Sequence, residues 1–339
     1  MTVSSRQRYL WSETESVDTK SRQKSQSALN SKPSAFMMRD MARRVINVSA
    51  VPHRSPFRYP GGKTWLVPYV RQWLRSKETK PAEFVEPFAG GGIVGLSVLF
   101  DELTDHLRLI ELDEQIASVW RTILAEGAEL AARIVSFDLT KENVLTVLTT
   151  APQNDADHAF QTIVRNRVQR GGIMAPGAGL LKQGENGRGI ASRWYPETLA
   201  KRILDIANKT ELINFLQCNG ITVIEESGQM KDCVWFIDPP YTVAGRRLYV
   251  HSEIDHTRLF AAVSKARGDF LMTYDDAEPI RELAREFGFD THKIPMKNTH
   301  HTLMYELLIG RDLAWARKPL HLFKDPLLEN VKARGNAGG

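Results

Sequence analysis

A chain of 339 residues with 42% hydrophobic and 25% charged residues has the make-up of a soluble globular protein. No apolar stretch reaches the roughly 18 to 20 residues that a membrane-spanning helix needs. The formal net charge of +5 comes entirely from residues 1–50, where nine Lys/Arg face four Asp/Glu. The remainder is neutral, so bulk charge makes no case for nucleic-acid binding, and such a case must rest on local patches.

Residues 1–50 are rich in Ser, Gln, Arg and Lys with little apolar periodicity. That composition buries too little surface to offset its ordering entropy, so a disordered basic tail is expected. It also lacks the apolar core of a signal peptide, which points to the cytoplasm. From Arg54 the pattern changes. Ala82–Glu86 reads as a buried strand running into the loop Phe88-Ala-Gly-Gly-Gly92, and a helical segment follows through Phe100. Leu107–Ile110 is a second strand, ending in Glu111 and Asp113, and Glu114–Ala125 is helical. The alternation stops between 127 and 215. Ile221–Ile224 and Val234–Ile237 read as strands, Thr257–Ala266 as a helix, Phe270–Tyr274 as a strand, Glu278–Phe287 as a helix and Leu303–Ile309 as a last strand. Strands alternating with helices predict an α/β fold with a mostly parallel sheet. The expected domains are a catalytic one from 51–126 and 216–315, a largely helical insert at 127–215 and a C-terminal tail at 316–339. Cys218 and Cys233, the only cysteines, have no His neighbours at metal-ligand spacing; two reduced core thiols and no metal are expected.

Gly90-Gly91-Gly92-Ile93-Val94-Gly95 fits the pattern G-x-G-x-x-G, and Glu111 follows about twenty residues on. Glycines let the backbone approach a ligand, and an acid after the next strand holds ribose hydroxyls. Nicotinamide cofactors and S-adenosylmethionine both contain adenosine, so the loop alone does not choose between them. Gly61-Gly62-Lys63-Thr64 resembles the end of a phosphate-binding loop, but position 57 holds Phe57 instead of the required glycine. Nucleoside triphosphate hydrolysis is therefore excluded.

Asp238-Pro239-Pro240-Tyr241 directly follows the strand Val234–Ile237. Open α/β sheets bind ligands at the carboxyl ends of their strands, where this tetrapeptide falls. An exocyclic amine on a purine is a poor nucleophile because its lone pair is delocalised. The Asp238 carboxylate and the Pro239 carbonyl can each accept one amine hydrogen, which turns the lone pair toward an electrophilic methyl group. Proline removes a competing N–H donor and stiffens the turn. Tyr241 offers a flat face for a base flipped out of a duplex.

Phe57-Arg-Tyr-Pro-Gly-Gly-Lys63, Phe84-Val-Glu-Pro-Phe-Ala-Gly-Gly-Gly92 and Asp238-Pro-Pro-Tyr241 occur in that order. Together they closely resemble the Dam-like, D12-class adenine-N6 DNA methyltransferases, over about Arg54 to Arg311. The resemblance implies a Rossmann-like, S-adenosylmethionine-dependent methyltransferase sheet with an inserted target-recognition domain. Tyr59, Gly61, Gly62 and Lys63 would line the cofactor site from the N-terminal side. Glu86, Phe88, Gly90 and Gly92 would cradle the methionine portion, Glu111 would hold the ribose and Leu112 would lie near the adenine. The family commonly has an Asp after the strand before the catalytic one; here the stretch reads Glu225-Glu226-Ser227-Gly228, so Glu226 or Ser227 is expected in its place.

Arg165–Arg202 carries eight Lys/Arg against two Asp/Glu, with seven glycines, and falls where such enzymes read their target. Arg165, Arg167, Arg170, Lys182, Arg188, Arg193 and Trp194 are candidates for contact with double-stranded DNA, as phosphate clamps or base readers. The expected reaction is methylation of adenine N6 in DNA at a specific sequence, by a monomer, with a restriction endonuclease as a possible partner. The alternatives are methylation of cytosine N4 or of adenine in RNA, a catalytically silent DNA-binding protein on the same scaffold, or a nicotinamide oxidoreductase. The last leaves the tetrapeptide and the basic insert unexplained.

Overall fold

The computed structural model describes residues 51–58, 62–170, 179–184, 187–240, 254–297 and 303–320. The expected N-terminal tail, and all but 316–320 of the C-terminal one, lie outside these residues.

Four short apolar runs form the parallel half of one sheet: β1 (Glu83–Glu86), β2 (His106–Glu111), β3 (Ile213–Gln217) and β4 (Cys233–Ile237). A fifth parallel strand, β5 (Asp269–Asp275), pairs with β4. β6 (Asp290–Lys297) and β7 (Leu303–Gly310) form an antiparallel hairpin, and β7 inserts beside β5. The order across the seven strands is β3-β2-β1-β4-β5-β7-β6. All five residues of β4 are buried, as a strand covered on both faces requires. Its alternation divides the core: Val234 and Phe236 face one apolar cluster, Cys233, Trp235 and Ile237 the other. The expected mostly parallel α/β sheet is observed. β6 was not anticipated; its run Asp-Thr-His-Lys-Ile-Pro-Met-Lys is polar, and Pro295 is tolerated because the strand lies at the sheet edge.

The chain moves outward from β1 to β2 to β3, then returns to the other side of β1 as β4. The carboxyl ends of β1 and β4 therefore flank a topological switch point, where open α/β sheets form a ligand crevice. Two helices pack near this edge, α1 (Val67–Arg75) and α2 (Ile93–Phe100). Among the described residues no helix is long and apolar enough to cross a membrane.

Helix α3 (Glu114–Ser136) begins after β2, capped by the Asp113 carboxylate, which accepts from the Gln115 amide at 2.8 Å. It kinks at Glu126, just where the insert is expected to start, and runs on. Gly127 lies so close to α6 (Pro196–Ala207) that an added Cβ would meet the Ala207 Cβ at 2.7 Å. Between α3 and α6 come α4 (Lys141–Thr149) and α5 (Asp155–Val168). Phe160, Ile163 and Ile203 from these helices share one apolar cluster with Phe84 and Leu107 of the sheet. The insert thus extends the catalytic core rather than enclosing a core of its own.

One expected strand is a helix. Ile221–Ile224 lies within α7 (Gly220–Ser227), and the strand before β4 is Ile213–Gln217. Four consecutive β-branched or apolar residues suit either element, and periodicity does not separate them. The decision is made at the start of the segment. Asn219 caps the helix, its side-chain oxygen accepting from the Ile221 amide at 2.9 Å. Gly220 then permits close contact with Pro87, whose carbonyl oxygen would lie 2.2 Å from an added Cβ. The remaining helices, α8 (His256–Lys265) and α9 (Glu278–Glu286), match the expected segments to within a residue.

Candidate active site

The glycine loop is built to turn sharply at the end of β1. Gly90 and Gly92 take positive φ of 47° and 59°, the left-handed region that favours glycine. At Gly92 a side chain would also strike the Trp120 ring at 2.9 Å. The loop is tied to β2: the Ala89 amide donates to the Ile110 carbonyl (2.9 Å), and the Gly90 amide to Glu111 Oε2 (2.8 Å). Trp120 Nε1 donates to the Gly90 carbonyl at 2.9 Å. The other Glu111 oxygen accepts from the Leu112 and Asp113 amides at 2.8 and 2.9 Å. Burial pushes the Glu111 carboxyl up, and these N–H groups oppose that shift. Glu86 is buried at the end of β1, with Oε2 accepting from the Gly95 amide at 2.9 Å. Burial holds its carboxyl well above the ordinary range, and the nearby charges of Asp238 and Glu111 push the same way. Phe88 is half-buried against the second apolar cluster, and Leu112 is exposed at the tip of β2.

Asp238 stands one residue past β4. Its Oδ1 receives the Lys63 ammonium at 3.1 Å and the Thr273 hydroxyl, which donates at 2.8 Å. Lys63 also pairs with Glu306 Oε1 at 3.0 Å. Lys63 and Glu306 are both buried. Burial alone would lower the Lys63 pKa, but the Asp238 and Glu306 carboxylates outweigh it and the ammonium is held well above its usual value. Pro239 is buried and Pro240 half-buried. Behind Asp238, the Tyr274 hydroxyl lies 2.9 Å from His256 Nδ1, and burial raises the Tyr274 pKa. Lys63, expected to line the cofactor site, is therefore bound to the candidate catalytic Asp. Glu306 was not singled out; its signal was a lone acid in the apolar run Leu303–Gly310. Gly62 is exposed beside Lys63, while Tyr59, Gly61 and Tyr241 lie outside the described residues.

Glu226 and Ser227 do not occupy the expected cofactor position. They sit at the far end of α7, whose first residue is the one near the sheet edge, and the neighbouring Glu225 pairs with Arg258 at 2.6 Å. The strand end that precedes β4 in the chain is Gln217, so the position falls at Cys218 and Asn219.

The insert candidates divide by burial. Trp194 packs edge-on against Phe137, ring centroids 5.7 Å apart, and is 7% exposed. Arg167 is 5% exposed and donates to the Pro56 carbonyl at 2.6 Å. Neither faces solvent, so the expectation of DNA contact is corrected for both: the large aromatic and the α5 guanidinium serve packing. Arg165 is half-buried and bonds Gln115 and Gln161. Arg170, Lys182 and Arg188 are exposed. Arg170, Leu181, Lys182, Gln183, Gly184 and Arg193 line one groove.

Residues 59–134 match the model of the D12 class N6 adenine-specific DNA methyltransferases. The chain is an S-adenosylmethionine-dependent methyltransferase on a Rossmann-like sheet. No curated protein matches it. Among solved structures, the methyltransferase domain of METTL16 aligns at 9% identity over 74% of this chain and 68% of that one, with a TM-score of 0.36. Precorrin-6y C5,15-methyltransferase from Geobacter metallireducens aligns at 8% identity over 73% and 89%, TM-score 0.33. TrmK from M. capricolum, solved with S-adenosyl-homocysteine, aligns at 6% identity over 72% and 68%, TM-score 0.32. These likenesses are distant; the strand order is the firmer mark of the fold.

The methyltransferase's own residues fit its cofactor. The charges of Asp238 and Glu111 add to the burial that pushes the Glu86 carboxyl up. A ligand carrying a sulfonium and an ammonium relieves that repulsion. Glu111 at the tip of β2 would be the residue to hold ribose hydroxyls, and the Gly90–Gly92 backbone allows close approach.

Proposed function

We propose that this methyltransferase modifies the N6 amine of adenine in double-stranded DNA at a specific sequence, acting on a base turned out of the helix. The observation that carries the reading is the placement of Asp238. It stands at the carboxyl end of β4, across the switch point from the glycine loop, with one oxygen fixed by Lys63 and Thr273. A carboxylate held in this way accepts an amine hydrogen without needing to reorient, which is the main service such a site can render. The Pro239 carbonyl is the second acceptor. Bound S-adenosylmethionine would supply the electrophilic methyl group. The family match at 59–134 supports adenine in DNA over cytosine. Arg170, Lys182, Arg188 and Arg193 on the insert would hold the DNA backbone.

The test is transfer by the purified chain, with methyl-labelled S-adenosylmethionine, to duplex DNA and to RNA of the same sequence, followed by digestion to nucleosides. Label in N6-methyladenosine from RNA alone, or in N4-methyldeoxycytidine, would contradict the reading. So would a chain that binds the cofactor and labels nothing.

A further inference from the structure

Asp238, Thr273 and Glu306 come from three neighbouring strands and share one face of the sheet. Asp238 continues the Val234–Phe236 alternation of β4. Met272 pairs with Ile237 across β4 and β5, and Glu306 of β7 pairs with Asp275 of β5. Leu308, two residues beyond Glu306, lies in the same cluster as Phe236, so Glu306 points to that face as well. An acid at 4% exposure inside a strand is costly unless it is paired, and Glu306 meets the Lys63 ammonium at 3.0 Å. Without Glu306, Lys63 and Asp238 would form a neutral pair. With it, two carboxylates share one ammonium and the group keeps a net negative charge.

We propose that Glu306 is a positioning residue for Asp238: by sharing Lys63, it fixes the ammonium on Asp238 Oδ1 and keeps Asp238 a strong acceptor for the amine. This rests on the reading of Asp238 given above. The groups around Asp238 are Lys63 from the loop before α1, Glu86 of β1, Tyr274 of β5, Asp275 of β5 and Glu306 of β7 through Lys63, and His256 of α8 through Tyr274. Of the acids among these, Glu306 is the one bonded to the same ammonium. Its removal frees Lys63 to stabilise ionised Asp238 alone. Asp238 then meets the ammonium without that competitor and accepts a hydrogen less strongly.

The experiment compares full-length wild type, Glu306→Gln and Glu306→Asp by the pH dependence of kcat on duplex DNA and by cofactor affinity. In Glu306→Gln the acid limb of kcat should move down by about half to one pH unit. Its plateau should fall about tenfold, with S-adenosylmethionine affinity within about threefold of wild type. Glu306→Asp, which keeps the charge, should leave the limb where it is. A Glu306→Gln enzyme with wild-type kcat and limb would overturn the proposal. So would equal losses in both variants with no movement of the limb, the mark of a packing role. If the Gln variant does not fold, Glu306→Ser takes its place in the same comparison, with the same downward movement of the limb expected and an unmoved limb overturning the proposal. If wild type transfers nothing to DNA, the functional reading fails by itself. The Asp238 carboxyl titration, followed by carbon NMR in wild type and Glu306→Gln, then reads the same shift without turnover, and an unmoved titration overturns the inference.

Discussion

At the carboxyl edge of the sheet a buried ammonium, Lys63, sits between the carboxylates of Asp238 and Glu306. On the inner side of the insert a buried guanidinium, Arg167, has other arginines as its charged neighbours. Burial pushes its pKa down to about 9, and Arg202, Arg58 and Arg193 push the same way. Both cations are deeply buried, yet they are held by different means. Lys63 is held by charge and in turn orders the group that would meet the substrate. Arg167 is held by a carbonyl, and beside it Asn166 makes two 2.9 Å bonds to the Arg58 backbone, so this part of α5 clamps the strap leading into the loop before Lys63. A basic residue in the insert is therefore no single kind of evidence. Its inner members are scaffold, and Arg170, Lys182 and Arg188 are its exposed members.

The largest effect expected from breaking this contrast is at the edge. Asp238→Ala should lower methyl transfer by about a thousandfold or more, with cofactor affinity, read by titration calorimetry, changed only a fewfold. An active Asp238→Ala enzyme would remove the carboxylate from the mechanism. Next comes the inner insert. Trp194→Ala empties a packed aromatic site and should cost roughly 3–5 kcal/mol in denaturant unfolding, while the salt slope of DNA binding by the folded protein stays unchanged. A mutant of wild-type stability would show that Trp194 is not a core residue. The outer insert should behave the opposite way. Neutralising Arg170, Lys182 and Arg193 together should leave the unfolding midpoint nearly unchanged and reduce the slope of log Kd against log salt by about 2–3; an unaltered slope would take that groove off the DNA.

The smallest effect lies far from both regions. Arg317 holds Asp290 well below the ordinary carboxylate value of 3.8, at about 2, and the Leu313 amide adds to the shift. Because the folded pKa is depressed, the stability this pair gives is present above the unfolded value and is lost as pH falls through about 2. Arg317→Ala should cost less than about 1 kcal/mol at neutral pH, and the difference from wild type should vanish in acid-unfolding curves below that range. A difference that persists there would mean Arg317 acts through packing.

The sheet was legible wherever short strands ran between helices, because β4 and the middle of β5 are buried apolar runs and β1 and β2 each carry a short apolar stretch ahead of an acid. It was illegible at β6, whose exposed edge permits polar residues, and at α7, whose β-branched run disguised a helix. That error carried the expected adenine-side acid to Glu226, when the strand end lies at Gln217. The glycine loop, Glu86, Glu111 and Asp238 could be picked out as candidates because each lies within a contiguous motif. Glu306 was not, since it reaches the site by sheet register from the far end of the chain. Burial also separates Arg167 and Trp194 from Arg170 and Lys182, and residue type alone carries no trace of it.

The proposed methylation of adenine N6 in DNA through Asp238 is tested most directly by expressing the chain in cells whose DNA lacks adenine methylation and measuring modified nucleosides by mass spectrometry. The expected result is N6-methyladenine in the DNA, lost in Asp238→Ala. N4-methylcytosine, a mark confined to RNA, or N6-methyladenine that persists in Asp238→Ala would contradict it.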